Sequence, residues 1–212
     1  HVPPEHAIEA IETATVGPVD EGCVGAGTGM RCYQFKSGIG TASRQIPHDQ
    51  GGYMVGVLVN ANGGRRHQLR IDGVPVGQEI PDLLPFQGKD GSFIIVIATD
   101  APLTHRQLRQ LCLRATHGLA RTGTPSTMSS GEFVIAFSTA NKIPRQTDNK
   151  VLSLSMLQNQ NLDVLYQAVI ESTEEAIYNA MTMATTSVGK KERIVHAIPI
   201  DRLQKTMKKY GY

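Results

Sequence analysis

The chain has 212 residues, 40% apolar, 19% charged and 5% aromatic, with a formal net charge of +2 and no tryptophan. This is ample length for one hydrophobic core, but the weak charge, the scattered basic pairs (Arg65-Arg66, Lys190-Lys191, Lys208-Lys209) and the few aromatic rings argue against a nucleic-acid surface. No run approaches the roughly 18 apolar residues of a membrane span. Cys23, Cys32 and Cys112 form no C-x-x-C, and there is neither an H-E-x-x-H nor a Cys/His cluster, so no metal or cofactor is expected and the thiols read as reduced. No secretory leader is recognisable. The chain reads as soluble, cytoplasmic or periplasmic, with the compartment open.

In chain order, Pro3-Pro4-Glu5 opens a predicted helix that continues to Thr15 and stops at Gly17-Pro18. Residues 22–30 form a glycine-dense loop, Arg31–Phe35 a short strand, and 36–44 a second glycine-dense loop. The G-x-G-x-G at 25–29 precedes no helical pattern, so a phosphate cradle would lack its helix N-terminus. Glycine there instead lets backbone approach a substrate, or lets strands pack closely. Tyr53–Val59 is a predicted strand leading into Asn60-Ala61-Asn62-Gly63-Gly64-Arg65-Arg66. Asn in such a loop shapes a turn or faces a developing oxyanion. His67–Asp72 is predicted as a strand, and Pro81–Gly91 as an exposed connection.

Phe93–Ala98 is an unbroken apolar, β-branched run whose length suits a strand buried on both faces. Thr104-x-x-Gln107 has capping-box spacing, and Leu108, Leu111, Cys112, Ala115 and Leu119 mark the buried face of the helix that follows. A small-residue loop, Thr122–Gly131, leads into a third apolar strand, Glu132–Thr139. Glu132 is there either an exposed charge or a functional carboxylate. Asn161–Thr185 is a long amphipathic helix, Ile194–Ile198 a short strand, and Asp201 caps a last helix. Strands and helices fall in blocks, which favours mixed sheets covered by helices over a doubly wound parallel sheet.

The chemistry centres on Ser92. It lies between an Asp90-Gly91 turn and a buried strand. Cutting Gly91–Ser92 would leave a terminal residue with both a hydroxyl and an α-amine. The amine's ordinary pKa of about 7.7–8.0 suits it to accept the hydroxyl's proton near neutral pH, the nucleophile–base pair of N-terminal hydrolases.

The stretches VGPVDEGCVGAGTGMRCYQFKSGIGTASR, VGVLVNANGGRRHQLRIDGVPVG, GKDGSFIIVIATDAPLTHRQL, GLARTG, SSGEFVIAFSTAN and EEAIYNAM run from end to end of the chain. Together they resemble the DmpA-type L-aminopeptidase/D-esterases and their β-aminopeptidase relatives. The resemblance implies an α/β fold, a four-layer αββα sandwich like that of N-terminal-nucleophile hydrolases and of ornithine acetyltransferases. It implies a precursor that cuts itself between Gly91 and Ser92, so that 1–91 is the C-terminal part of an α-subunit and 92–212 a β-subunit. The two belong to one domain whose upstream part is absent from this sequence. Ser92 is then the nucleophile, and Ser130 and Glu132 position its amine. An Asn at the end of the strand before Arg65-Arg66 binds the oxyanion. The family usually reads V-Q-x-N there, matching Asn62, with Asn60 in the Gln place, and which of the two serves stays open. Ser37 stands where Gly is usual, and a Tyr sharing the oxyanion site belongs to the upstream segment. The implied substrates are peptides, amides or esters with a free N-terminus, and the implied assembly is a homo-oligomer of αβ units. The competing readings are an acyltransferase of the ornithine acetyltransferase type, which normally has Thr at the cut, and an unprocessed non-catalytic fragment.

Overall fold

The apolar run after Ser92 forms the third strand of a four-stranded mixed sheet. In this computed structural model, which describes residues 2–86 and 91–212, the elements follow in order. Helix α1 is Pro4–Glu12, with Pro at its first turn and none of its residues buried. A single 3-10 turn covers the glycines 25–29. Strands β1 (Arg31–Cys32) and β2 (Phe35–Lys36) make a tight hairpin. Then come β3 (Ile39–Gln45), β4 (Met54–Asn62), the short α2 (Val76–Glu79), β5 (Ser92–Thr99), α3 (His105–Arg121), β6 (Phe133–Ser138) and α4 (Asp163–Thr182). A small hairpin of β7 (Ser187–Val188) and β8 (Ile194–Val195) and a last helix, α5 (Ile200–Lys209), complete it.

The main sheet runs β3-β4-β5-β6, antiparallel at the first two junctions and parallel between β5 and β6. A parallel junction needs a crossover, and α3 supplies it. The capping box forms as the spacing predicts: Thr104 and Gln107 each satisfy the other's backbone N–H. Helices α3 and α4 cover one sheet face, where Val55, Val57, Val59, Ala61, Phe93, Ile95 and Ile97 meet Leu111, Ala115, Leu165, Val169 and Ile177 in one buried core. Arg44 at the end of β3 bridges Glu171 (3.1 Å) and Glu175 (2.6 Å) on α4. Among the described residues no helix is long and apolar enough to cross a membrane.

Several sequence expectations change. Arg31–Phe35, read as one short strand, is the β1–β2 hairpin, and Asp201, read as the cap of the last helix, lies in its first turn with Pro199 at the cap. The run Phe93–Ala98 is buried on its helix-facing side only. Across the other face Ile94, Phe133, Ile135 and Phe137 stand in line and open, Phe133 at 69% exposure and Ile135 at 59%. The described residues thus build one helical layer and one sheet layer. Residues 36–44, read as loop, are largely strand β3. Its glycine is demanded by packing rather than by a turn, since a Cβ on Gly40 would sit 1.9 Å from the Ala176 carbonyl oxygen of α4. His67–Asp72, read as strand, is instead a 3-10 turn at Arg66–Gln68 followed by a bridge between Ile71 and Val74. Its backbone groups are taken up one by one by loops, the Arg70 N–H donating to the Thr122 carbonyl at 2.9 Å and the Leu69 carbonyl accepting from the Gly77 N–H at 3.1 Å.

Gly40→Ala is expected to lower stability by about 1–3 kcal/mol, because the helix must move off the sheet. Gly56→Ala, whose Cβ would meet nothing within 4 Å on the open face, should leave it nearly unchanged. Urea unfolding midpoints of the two variants check this, and equal midpoints would contradict the packing described.

Candidate active site

Strand pairing builds the site. Asn62, the last residue of β4, lies directly opposite Ser92, the first of β5. Side chains alternate along a strand. With Phe93 and Ala61 committed to the helices, Ser92, Asn62 and Asn60 emerge on the other face. The parallel neighbour β6 then brings the loop before it, residues 129–132, to the same end of the sheet.

Polar groups from three segments meet there. The Gly131 backbone N–H donates to Ser92 Oγ at 3.0 Å. The Ser130 hydroxyl lies 2.9 Å from the carbonyl oxygen of Gly91 and 2.5 Å from Glu132 Oε1. A hydroxyl has one hydrogen to donate, so Ser130 directs it either to the Gly91 carbonyl or to Glu132, and couples the two. Asn62 Oδ1 accepts the Arg31 backbone N–H at 3.3 Å, which fixes the orientation of the carboxamide. Its Nδ2 is turned towards Gly91: a Cβ built on Gly91 would lie 2.9 Å from Nδ2 and 1.6 Å from the Asn62 carbonyl oxygen. A larger residue than glycine cannot occupy that position without displacing β4.

The five residues singled out in the sequence divide accordingly. Ser92, Ser130, Glu132 and Asn62 converge on the Gly91–Ser92 bond. Asn60 lies two residues back along β4, with a buried Oδ1 that has no hydrogen-bond partner among the described residues. Asp90 of the expected turn falls outside the described residues. Sequence reading missed Gly131, whose contribution is a backbone N–H that no side-chain letter signals. It also missed Arg66 and Arg31. The buried Arg66 guanidinium donates to the carbonyls of Tyr33 (3.0 Å), Gln34 (3.0 Å), Ile80 (2.9 Å) and Asp82, and lies 3.3 Å from the centroid of the Phe35 ring. Burial draws it down to about 10. Arg31 donates to the Phe86 carbonyl at 3.3 Å, and Arg193 stacks on the Phe86 ring at 4.2 Å. Asp82 is held by Arg202 at 2.7 Å. The segment leading to the bond is therefore anchored at Asp82 and Phe86. The doubled basic residues were visible in the sequence, but nothing there separated a buried clamp from a solvated pair.

No group of three or more His, Cys, Asp or Glu side chains among the described residues is placed to hold a metal ion. The thiols differ sharply. Burial opposes ionisation of Cys23, but the Thr185 hydrogen bond and the Lys36 ammonium outweigh it and draw the thiol below its usual value. Burial pushes Cys32 up to about 12.

Comparisons with known proteins show the family and the fold. The model of peptidase family S58 matches residues 1–195, and the chain belongs to that family. It is 41% identical, over 99% of its length, to the beta-peptidyl aminopeptidase BapA of Sphingosinicella microcystinivorans, of which it covers 57%. Among solved structures it matches a Burkholderia sp. beta-aminopeptidase with a TM-score of 0.92 at 39% identity, covering 100% of this chain and 60% of that one. It matches the L-aminopeptidase D-Ala-esterase/amidase of Ochrobactrum anthropi, described as a prototype for the serine aminopeptidases and a new variant among the Ntn hydrolase fold, with a TM-score of 0.89 at 41% identity. That match covers 98% of this chain and 57% of the other. The fold is thus the expected α/β fold of N-terminal-nucleophile-hydrolase type, and the chain spans less than two thirds of these relatives' length.

At pH 8 iodoacetamide is expected to alkylate Cys23 first and Cys32 only on unfolding, as peptide mass mapping would report; equal rates would refute the assignment. The folded Cys32 thiol binds its proton more tightly than the unfolded one. Its contribution to stability is therefore full below about pH 9 and lost as pH rises towards 12. By pH 10 the loss is on the order of 1 kcal/mol, and Cys32→Ala should flatten the alkaline fall of the urea midpoint accordingly.

Proposed function

We propose that this chain is cut by its own chemistry between Gly91 and Ser92, leaving 1–91 as the end of an α-subunit and 92–212 as a β-subunit. Ser92 then serves as the nucleophile of a serine aminopeptidase acting on peptides, amides or esters with a free N-terminus. The observation that carries this is the placement of Ser130 on the Gly91 carbonyl oxygen beside a Ser92 Oγ held by the Gly131 N–H.

In the first stage Ser92 Oγ attacks the Gly91 carbonyl carbon. Ser130 stabilises the charge that develops on the carbonyl oxygen, as an oxyanion-hole donor does. The C–N bond breaks, the proton from Oγ passes to the departing Ser92 nitrogen, and the chain is joined through an ester. Water hydrolyses the ester to a Gly91 carboxylate and a free Ser92 amine.

In the second stage that amine takes the Oγ proton as Ser92 attacks the carbonyl of a substrate's first residue. It hands the proton to the leaving amine, and water releases the acyl group by the same route. Asn62 Nδ2 faces the place where the oxyanion forms and is the natural donor to it. Glu132, bonded to Ser130, orients Ser130 and serves as the counter-charge to the ammonium that forms on Ser92.

Intact-mass spectrometry of the full-length protein tests the first stage. Wild type should give two polypeptides, the second starting at Ser92, whereas Ser92→Ala should stay one chain and be inactive. A cut, active Ser92→Ala protein would refute the assignment. Ser130→Ala should slow the cut by at least roughly a hundredfold, and Asn62→Ala should lower kcat on an aminoacyl anilide by about 10²–10³.

A further inference from the structure

Lys36 lies in β2, is 2% exposed and takes no part in the chemistry above. A lysine ammonium has three N–H donors and no acceptor. All three go to backbone carbonyls: Gly27 at 3.2 Å, Met30 at 2.9 Å and Ser37 at 2.6 Å. Among the described residues no carboxylate forms an ion pair with it. Burying a cation without a counter-ion is costly, and one of its three partners leads to the site.

The Met30 carbonyl and the Arg31 N–H belong to one peptide unit. The carbonyl accepts from Lys36 Nζ and from the Ser37 N–H at 3.2 Å, and the N–H donates to Asn62 Oδ1 at 3.3 Å. A hydrogen-bonded chain thus runs from an ammonium through a peptide to a carboxamide. The peptide is a rigid plane, so holding its oxygen sets the direction of its N–H. A cation on the oxygen also polarises the unit and makes the N–H a stronger donor. An N–H bonds only the oxygen of a carboxamide, so it decides which end of Asn62 faces Gly91. With Oδ1 held, Nδ2 is that end, 2.9 Å from where a Cβ on Gly91 would lie. Turned over, the carboxamide would present an oxygen to the developing oxyanion and repel it.

We infer that Lys36 is a positioning residue of the active site: through the Met30–Arg31 peptide it holds Asn62 with Nδ2 towards the oxyanion, and so governs turnover without touching substrate. The inference rests on the aminopeptidase reading, in which Asn62 is the oxyanion donor. Lys36 also braces the glycine-dense turn through the Gly27 carbonyl, and a purely structural brace is the alternative. A brace supports the fold whatever residue stands at position 62. A positioning residue matters only while the carboxamide is there.

The test is a double-mutant cycle on the full-length, self-cleaved enzyme, read as kcat and KM on alanyl or β-alanyl p-nitroanilide. Lys36→Met keeps an apolar stem and removes the ammonium. It should lower kcat roughly tenfold and leave KM within about threefold, whereas in the Asn62→Ala background it should change kcat by less than about twofold. An equal fold-loss in both backgrounds overturns the inference and leaves Lys36 a brace. So does an unchanged kcat, whether or not KM rises. If Lys36→Met fails to cut itself, Lys36→Gln, which keeps a donor for the Met30 carbonyl, carries the same comparison. Failure of both variants to cut makes Lys36 structural and overturns the inference. A wild-type protein that cuts itself but hydrolyses no aminoacyl anilide defeats the aminopeptidase reading itself, a result seen before any variant is compared.

Discussion

The register between β4 and β5 is the constraint on which the site depends. Asn62 and Ser92 are far apart in sequence and face each other only because Val59 pairs with Ile95 and Val57 with Ile97. A slip of one residue would turn every side chain of one strand to the opposite face. Ser92 would then point into the helices and Phe93 into the site. Each large apolar side chain removed from the core by such a slip costs about 1.5–3 kcal/mol, and Phe93, Ile95 and Ile97 would move together. At the far end Thr99 donates to the Met54 carbonyl at 2.7 Å and pins the same register from the other side. The core thus does more than stabilise the sheet: it aims Ser92.

A second constraint is Arg66. Tyr33 and Gln34 close the β1–β2 hairpin with φ of 50° and 63°, a left-handed backbone that a bulky residue adopts only under compulsion. The compulsion is visible. Arg66 bonds both of their carbonyls, the Tyr33 N–H bonds the Gly63 carbonyl at 2.7 Å, and the Tyr33 hydroxyl meets Thr122 Oγ1 at 2.5 Å. The same guanidinium takes the carbonyls of Ile80 and Asp82. One cation therefore ties the hairpin that carries Arg31, the donor to Asn62, to the segment that leads to Gly91 and Ser92.

Much of this was legible in the sequence where the signal is local. The Ser92 strand, the Thr104 capping box and the stripe Leu165, Val169, Ala176, Ile177 of α4 follow from periodicity and spacing alone. Strand β3 was not legible because Gly40, Thr41 and Ser43 look like loop residues. They are strand because α4 passes so close that only a glycine backbone fits beneath it. Ser92 announced itself through its setting, and Ser130, Glu132 and Asn62 through the family resemblance. The contributions of Gly131 and Arg31 are backbone N–H groups, which any residue but proline possesses, so composition cannot betray them.

If the chain is cut as proposed, the anchoring of the segment before Gly91–Ser92 has a further consequence. Phe86 is fastened by Arg31 and Arg193, and five residues separate it from the Gly91 carboxylate that cutting would create. Five residues span at most about 17 Å even when fully stretched. Under the proposed cut that carboxyl end would be a leashed product, confined near Ser92 at an effective concentration set by the leash and independent of dilution. A substrate would then contend with the protein's own tail, and shortening or lengthening that tail would tune the proposed activity without touching its chemistry.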